Sequence, residues 1–328
     1  MHAWLCENPT GVDALHWQQT PTPQPLPGQV LLELKAASLN FPDLLVVQNK
    51  YQFKPALPFV PGMEFAGIVT AVGEGVTQLG VGQLVACMNR TGGFATHAVV
   101  DADLCVPLPT GFSHEHAAAF IATYGTSYHA LIDRARLQPG ETVLVLGAAG
   151  GVGTAAIEIA KAAGARVVAA ASSDDKCALC RSLGADETIN YSQAKPPAAF
   201  RDAIKAATGG KGPDVIYDPV GAEFTEPAFR SIAWRGRHLV VGFAGGAIAS
   251  LPVNLTLLKS ASVVGVLWGE FFRREPAESS RQMKVLTDWY VQGKIKPHID
   301  RVMPLAQLKQ AYALMDSRSI KGKLVLTV

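Results

Sequence analysis

The chain predicts an α/β fold in which a partly closed β-barrel domain is followed by a doubly wound parallel sheet, and three observations carry that prediction. The first part of the chain holds short alternating or apolar runs punctuated by Gly and Pro. From Tyr124 to about Pro252 strand-like and helix-like runs alternate, the pattern of a parallel sheet covered by helices. Where the second regime begins, the run Thr142–Gly153 (TVLVLGAAGGVG) passes from an apolar strand into a glycine-rich turn.

The elements follow in order. Residues Gln29–Ala36 and Glu64–Val72 read as strands, with turns at Pro21–Gly28 and Gly73–Gly82. In the second regime Val143–Leu146, Arg166–Ala171, Glu187–Asn190, Val215–Tyr217 and His238–Gly242 read as strands. Thr154–Ala163 and Asp174–Leu183 carry helical patterns. The tail predicts a strand at Ser262–Leu267, helices at Glu278–Gln292 and Leu305–Met315, and a last strand at Lys323–Val328.

With 328 residues, 48% of them hydrophobic and 17% charged, the chain is long enough for two cores and too apolar to be disordered. The net charge of +2 comes from interspersed signs, so neither a nucleic-acid nor an anionic-membrane partner is expected. No apolar stretch has the length of a membrane span, and Met1–Pro9 lacks the pattern of a secretory signal; the expected location is cytoplasmic. Cys6, Cys87, Cys105, Cys177 and Cys180 are scattered, as suits free thiols in a reducing compartment. The one C-x-x-C, Cys177 and Cys180, falls in a helical stretch without a second pair, so helix packing is expected of it.

The glycine-rich turn is the grammar of dinucleotide binding. Gly147 ends the strand, Gly150 lets backbone N–H groups approach a pyrophosphate, and Gly153 lets the helix pack on the sheet. The helix N-terminus offers unsatisfied donors and a positive dipole end. The second strand bears on which dinucleotide. An NAD site usually ends this strand with Asp or Glu for the ribose 2′-hydroxyl, whereas here Ala171 is followed by Ser172 and Ser173, with Lys176 one turn on. Small hydroxyls and a cation favour a 2′-phosphate, hence NADPH. Two other readings stand beside this one: the serines cap the next helix, or Asp174 serves as the ribose ligand.

The motifs together carry a family resemblance. Gly140-Glu-Thr-Val-Leu144 running to Ala148-Ala-Gly-Gly-Val-Gly153 resembles the signature of quinone oxidoreductases related to zeta-crystallin, in the medium-chain dehydrogenase/reductase superfamily. The likeness continues through Ala37-Ser-Leu-Asn-Phe-Pro-Asp43, Pro61-Gly-Met-Glu-Phe-Ala-Gly67, Gly92-Gly-Phe-Ala-Thr96, Ile189-Asn-Tyr191, Tyr217-Asp-Pro-Val-Gly221 and Gly322-Lys-Leu-Val-Leu326. One departure is Glu158, where the signature usually has Gln. The resemblance implies a GroES-like domain over 1–123 and a Rossmann NADP-binding domain over 124–260, with the nucleotide in the cleft. The segment 261–328 would complete the sheet and return to the first domain. A homodimer is implied as well, with the strand Ser262–Leu267 pairing across a two-fold axis.

Zinc-dependent members of the superfamily place a cysteine and a histidine where this chain has Asn40 and Met63. Amide and thioether are poor zinc ligands, so a metal-free enzyme is expected. Without a Lewis acid the suitable acceptors are those that spread the arriving charge themselves, quinones or alkenes conjugated to a carbonyl. By resemblance Asn40 orients the acceptor and Tyr51, or water, protonates the product; a loop aromatic packed on its domain is the other reading of Tyr51. Thr123 would sit near the nicotinamide, Ala149, Gly150, Gly151 and Val152 at the pyrophosphate, and Ser172, Lys176 and Tyr191 around the 2′-phosphate. Gly242, Phe243, Leu267, Trp268 and Gly269 would flank the nicotinamide or its ribose, with Arg318 and Lys323 reaching the cofactor from the tail. Tyr191 and Phe243 also suit ordinary core positions. Ser127 and Ser231 lie outside nucleophile-elbow contexts, which argues against hydrolysis. The expected function is NADPH-dependent reduction of a quinone or similar electrophile. The alternatives are an enoyl- or acrylate-type double-bond reductase, for which only Arg273-Arg274 hints at a CoA-binding patch, and a non-catalytic, crystallin-like NADPH-binding protein.

Overall fold

The computed structural model describes residues 1–195 and 197–328. They form two compact units, Met1–Ala122 together with Ile299–Val328, and Thr123–His298. The chain runs first through β1 (His2–Cys6), β2 (Leu15–Gln19), β3 (Gln29–Ser38), β4 (Glu64–Val72), β5 (Leu84–Met88), β6 (His97–Asp101) and β7 (Cys105–Pro107). The second unit holds β8 (Thr142–Leu146), β9 (Arg166–Ala171), β10 (Glu187–Asn190), β11 (Val215–Asp218), β12 (Arg237–Val240) and β13 (Ser262–Gly265). The return to the first unit supplies β14 (Ile299–Pro304) and β15 (Lys323–Thr327).

In the first unit a sheet of order β14-β15-β3-β4-β5-β7 is built around β3, which β6 also joins. Two register shifts between β3 and β4 mark bulges, which bend a sheet and increase its twist. The register that matters for the site is short: Ser38 on β3 lies opposite Glu64 on one side and opposite Val325 on the other. Pairing between β3 and β15 is antiparallel, so Asn40, two residues past Ser38, is carried toward Lys323, two residues before Val325. The backbone N–H of Leu39 donates to the Leu324 carbonyl at 3.1 Å and continues that ladder.

In the second unit all strands are parallel, in the order β10-β9-β8-β11-β12-β13. The first strand thus lies at the centre and the order reverses between β8 and β11, the switch point at which ligands bind in such sheets. Val143, Leu144, Val145 and Leu146 are all buried, as parallel strands covered on both faces require. Each contributes about 1.5–3 kcal/mol by leaving water. The segment 261–298 belongs to this unit: β13 lies parallel on β12, with Ser262 opposite Arg237. The unit ends at His298; the resemblance put a boundary after residue 260 and had the segment 261–328 complete the sheet before returning to the first domain.

Most predicted elements are present with ends moved by a few residues. The strand expected to reach Gly242 stops at Val240, because the N–H groups of Val241 and Gly242 both turn to the Asp218 carbonyl. The strand expected to reach Leu267 stops at Gly265, and an unanticipated helix, Trp268–Arg274, begins three residues later. The hairpin β1–β2 was also not foreseen; Trp4, Cys6 and Leu15 bury one face, while polar residues dominate the rest of β2. A third addition, the helix Phe41–Val47, starts at Asn40, whose backbone N–H donates to the Asp43 carboxylate at 2.8 Å.

Candidate active site

The phosphate end is built from backbone. Gly147 takes a left-handed φ of 58° at the end of β8, and a side chain there would meet Val220. At Gly153 a Cβ would lie 2.5 Å from the Gly147 carbonyl oxygen, so only glycine lets the helix Gly151–Ala162 start so close to the strand. Gly150 caps that helix without a side-chain hydrogen bond, which leaves the first-turn N–H groups of Gly151 and Val152 for an anion. Ala149 is buried, and the Val152 carbonyl accepts from Ser127 Oγ at 3.0 Å, so Ser127 braces the turn.

At the end of β9, Lys176 Nζ donates to Ser172 Oγ at 3.3 Å, and the Ser172 carbonyl accepts from Ser192 Oγ at 2.7 Å. Ser173 caps the helix Asp174–Ser182 through its bond from the Lys176 N–H, so the capping reading applies to Ser173 and not to Ser172. The Asp174 carboxylate is engaged elsewhere: Asn190 Nδ2 donates to one oxygen at 2.8 Å and Gln193 Nε2 to the other at 3.1 Å. Tyr191 lies next to this group in the chain, its N–H donating to the Ala171 carbonyl, while its half-buried ring packs against Phe200 and Phe224.

Gly242 and Phe243 follow β12 at the same end of the sheet. A Cβ at Gly242 would stand 3.3 Å from the Pro219 carbonyl oxygen, and the Phe243 ring covers Gly221. The turn after β11 is fixed by Asp218, whose carboxylate accepts from the N–H groups of Val220 and Gly221 and from Thr225 Oγ1, and pairs with the buried His238. Trp268 is 3% exposed and its ring covers Gly125 in the helix Ile121–Tyr128, while Leu267 beside it is exposed and Gly269 half-buried. The Trp268 indole N–H makes no hydrogen bond among the described residues. A buried donor of this kind costs free energy unless a ligand supplies an acceptor. Thr123 is buried in the same helix.

Next to Thr123, the Tyr124 hydroxyl donates to Glu158, which also accepts from the Lys296 N–H at 3.1 Å. Burial raises the Glu158 carboxyl above the usual range despite those two hydrogen bonds. The cysteines pack as thiols: Cys177 and Cys180 are buried in their helix, and Cys87 and Cys105 face each other across β5 and β7 with sulfurs 3.3 Å apart. Arg273 and Arg274 both donate to Glu270.

The first unit holds Asn40 and a buried ion pair. Glu64, the first residue of β4, accepts at Oε1 from the Ala122 N–H at 2.8 Å. At Oε2 it accepts from Ser38 Oγ, from Asn40 Nδ2 at 2.9 Å and from Lys323 Nζ at 3.1 Å. Lys323 Nζ also donates to Asn40 Oδ1 at 2.7 Å and to the Leu39 carbonyl at 3.2 Å. The two charged side chains are 1% and 5% exposed. All three N–H donors of Lys323, the residue that resemblance placed at the cofactor from the tail, are spent inside the domain. Asp43 accepts from the N–H groups of Asn40 and Met63, and burial pushes its carboxyl up to about 7. Tyr51 is half-buried against the apolar core, and Arg318 is exposed in a turn with a left-handed φ of 55°.

Sequence reasoning named Asn40 and Lys323 but missed Glu64, Asp43 and Ser38 as their partners. The available signal was a lone charge at the head of an otherwise buried strand, which both Glu64 and Lys323 display.

The alcohol dehydrogenase GroES-like domain family matches residues 26–110, and the zinc-binding dehydrogenase family matches residues 151–284. Quinone oxidoreductase-like protein 2 of Rattus norvegicus is 37% identical over 341 aligned positions, covering 99% of this chain and 96% of the relative. The chain belongs to the quinone oxidoreductase-like family of the medium-chain dehydrogenases/reductases. Among solved structures, a mycobacterial protein complexed with NADPH superimposes with a TM-score of 0.93 at 29% identity over the whole of both chains. The quinone oxidoreductase of Thermus thermophilus, also studied in complex with NADPH, gives 0.86 at 32% over the whole of both chains. Membership makes the chain an oxidoreductase with a GroES-like and a Rossmann domain. Among the described residues no helix is long and apolar enough to cross a membrane.

Proposed function

We propose that this chain is an NADPH-dependent reductase that passes hydride to a quinone or a similar electrophilic acceptor without a zinc ion. The observation that carries this reading is the pair of polar sites just described. One is a cation and hydroxyl, Lys176 and Ser172, in contact at the end of β9 while the nearby Asp174 is tied to Asn190 and Gln193. The other is Asn40, held by an ammonium where zinc-dependent relatives carry a metal ligand.

The residues fit the dinucleotide. Ser172 and Lys176 would hold the 2′-phosphate, the N–H groups at 149–152 the pyrophosphate, and the unpartnered Trp268 N–H an acceptor on the nicotinamide end. Bound NADPH supplies the hydride. Asn40 orients the acceptor, and Tyr51 or water returns the proton to the reduced product.

The residues do not fit zinc. An amide already bound to Glu64 and Lys323 and a buried Met63 thioether are a poor donor set, and the Lys323 ammonium 3.1 Å from Glu64 Oε2 repels a second cation. An acceptor that spreads its own negative charge suits such a site. Engagement of Arg273 and Arg274 by Glu270 leaves a CoA-linked alkene less well served than a quinone.

The same reading includes a cytoplasmic homodimer. The edge strand β13 is largely exposed, with Val263 at its centre and Val253, Leu257, Leu258 and Leu267 exposed in the neighbouring segments, and a second copy pairing along β13 would cover an otherwise aggregation-prone edge. Light scattering is expected to give twice the chain mass; a monodisperse monomer would contradict the dimer.

The activity is tested by following NADPH oxidation with a benzoquinone, a naphthoquinone, a simple enone and an acrylate, each repeated with NADH. Fastest turnover with a quinone and NADPH is expected. Turnover of the alkenes alone would replace the quinone by a conjugated double bond, and NADPH binding without turnover would favour a non-catalytic role.

A further inference from the structure

The ion pair beneath Asn40 does more than balance charge. The two ends of the Asn40 amide face opposite charges: Oδ1 accepts from the Lys323 ammonium at 2.7 Å, and Nδ2 donates to the Glu64 carboxylate at 2.9 Å. A flipped amide would turn its N–H groups toward the ammonium and its oxygen toward the carboxylate, so both neighbours select one orientation. Nδ2 carries a second N–H, and its other contact is a long 3.5 Å to the Ser38 carbonyl. Of the three side chains only Asn40 is partly exposed, whereas Glu64 and Lys323 are sealed from solvent.

Lys323 cannot meet a substrate itself. Its three donors go to Leu39 O, Asn40 Oδ1 and Glu64 Oε2, and its aliphatic stem heads the buried strand β15. What it can do is act through Asn40. The cation at the amide oxygen polarises the group and makes the remaining N–H a stronger donor, and the anion at the other N–H fixes the plane in which it is aimed.

We propose that Lys323 is a positioning residue that, with Glu64, sets the orientation and donor strength of the Asn40 amide toward the acceptor. This rests on the reading of Asn40 as the residue that orients the acceptor. The pair lies behind Asn40, so its charge reaches the acceptor indirectly, through the amide.

The test compares N40A, the charge-balanced double variant K323M/E64Q, and the triple variant carrying all three changes. For each, kcat and KM with the best quinone, the NADPH dissociation constant by fluorescence titration, and thermal stability are measured. Because the double variant removes both buried charges together, it is expected to fold and to bind NADPH within about twofold of the parent. Its kcat should nevertheless fall on the order of 10–100-fold, the scale of a misplaced orienting group. In the N40A background the same two changes should cost no further activity, because they act through the missing amide.

Parental kcat and KM in K323M/E64Q, alongside an impaired N40A, would overturn the proposal and leave the reading of Asn40 standing. An equal loss with and without Asn40 would overturn it too, because Lys323 would then act by another route. An N40A variant with parental turnover would remove the reading of Asn40 and this inference together. Should the double variant not fold, K323R keeps the charge while its wider, planar group changes the three-point geometry, so kcat is expected to fall although the fold survives. An unchanged kcat in K323R would overturn the proposal.

Discussion

The turn after β8 and the polar cluster joining β3, β4 and β15 are built by opposite means. Between Gly147 and Gly153 what limits substitution is space: a Cβ at Gly153 would stand 2.5 Å from the backbone carbonyl oxygen of Gly147, and one at Gly147 would meet the Val220 side chain. In the cluster the partners come from positions 38, 40, 64 and 323, and what limits substitution is charge, since Glu64 and Lys323 are nearly fully buried against each other. A site for a phosphate can be made from unsatisfied N–H groups that any sequence possesses, provided glycine lets the chain come close. A site that orients a reacting carbonyl needs a particular side chain, and that side chain needs partners that only the tertiary fold can supply.

The largest effect should follow from breaking the charge balance alone. K323M leaves the Glu64 carboxylate buried without its cation, and loss of one partner of a buried pair costs about 3–5 kcal/mol. Urea unfolding should report this loss nearly undiminished in 1 M salt, because mobile ions do not reach a sealed pair. A cost below about 1 kcal/mol, or one that disappears in salt, would place the pair with ordinary surface bridges and dissolve the contrast drawn above.

G153A tests the other region. Its methyl group meets the carbonyl oxygens of Gly147 and Ala148, so the helix Gly151–Ala162 must shift from the strand, at about 1–3 kcal/mol as overpacking usually costs. NADPH affinity should drop with it, and the loss should be the same for NADH because the two dinucleotides share the pyrophosphate. Loss of stability with intact affinity would show that Gly153 serves packing alone.

K176A separates the dinucleotides. Removing the ammonium beside Ser172 should weaken NADPH about tenfold, equivalent to about 1.4 kcal/mol, and leave NADH unchanged. Equal effects on both cofactors would assign Lys176 to the helix surface, and the role of Ser172 at a 2′-phosphate would go with it.

The contrast also explains what could be read in advance. The Gly147–Gly153 turn, the strands at its flanks and the Ser172–Lys176 group are local in sequence, and the roles expected of them were read from spacing. Asn40 was singled out by the resemblance, which matched it to a metal-ligand position of zinc-dependent members. Its dependence on Lys323 was not, since 283 residues separate the two and only the register Ser38 to Val325 brings them together. The same long-range pairing bears on Lys323, which resemblance placed at the cofactor: at the head of an interior strand its ammonium is buried against Glu64. Trp268 was expected beside the cofactor, but the helix that it begins was not, because the apolar run before it continues a strand pattern without a capping residue.

The smallest effect concerns Glu158, the position at which this chain departs from its family signature. A glutamine oxygen can accept from the Tyr124 hydroxyl and the Lys296 N–H as the carboxylate does, so E158Q should preserve the contacts and remove a buried ionisable group. Burial raises the folded-state pKa of Glu158, so over the pH range above about 4.3, the ordinary value for Glu, the folded chain keeps a proton that the unfolded chain has lost. Stability therefore falls as pH rises through that window and stays lowered above the folded pKa. E158Q abolishes this contribution: the variant should match the parent at low pH and have the higher Tm at high pH. Asp43, raised to about 7 by burial in the first unit, has the same sign, so both proteins should still lose stability between about pH 4 and 7. A variant that matches the parent at low pH but is the less stable of the two at high pH would mean that the carboxylate stabilises the fold as an anion.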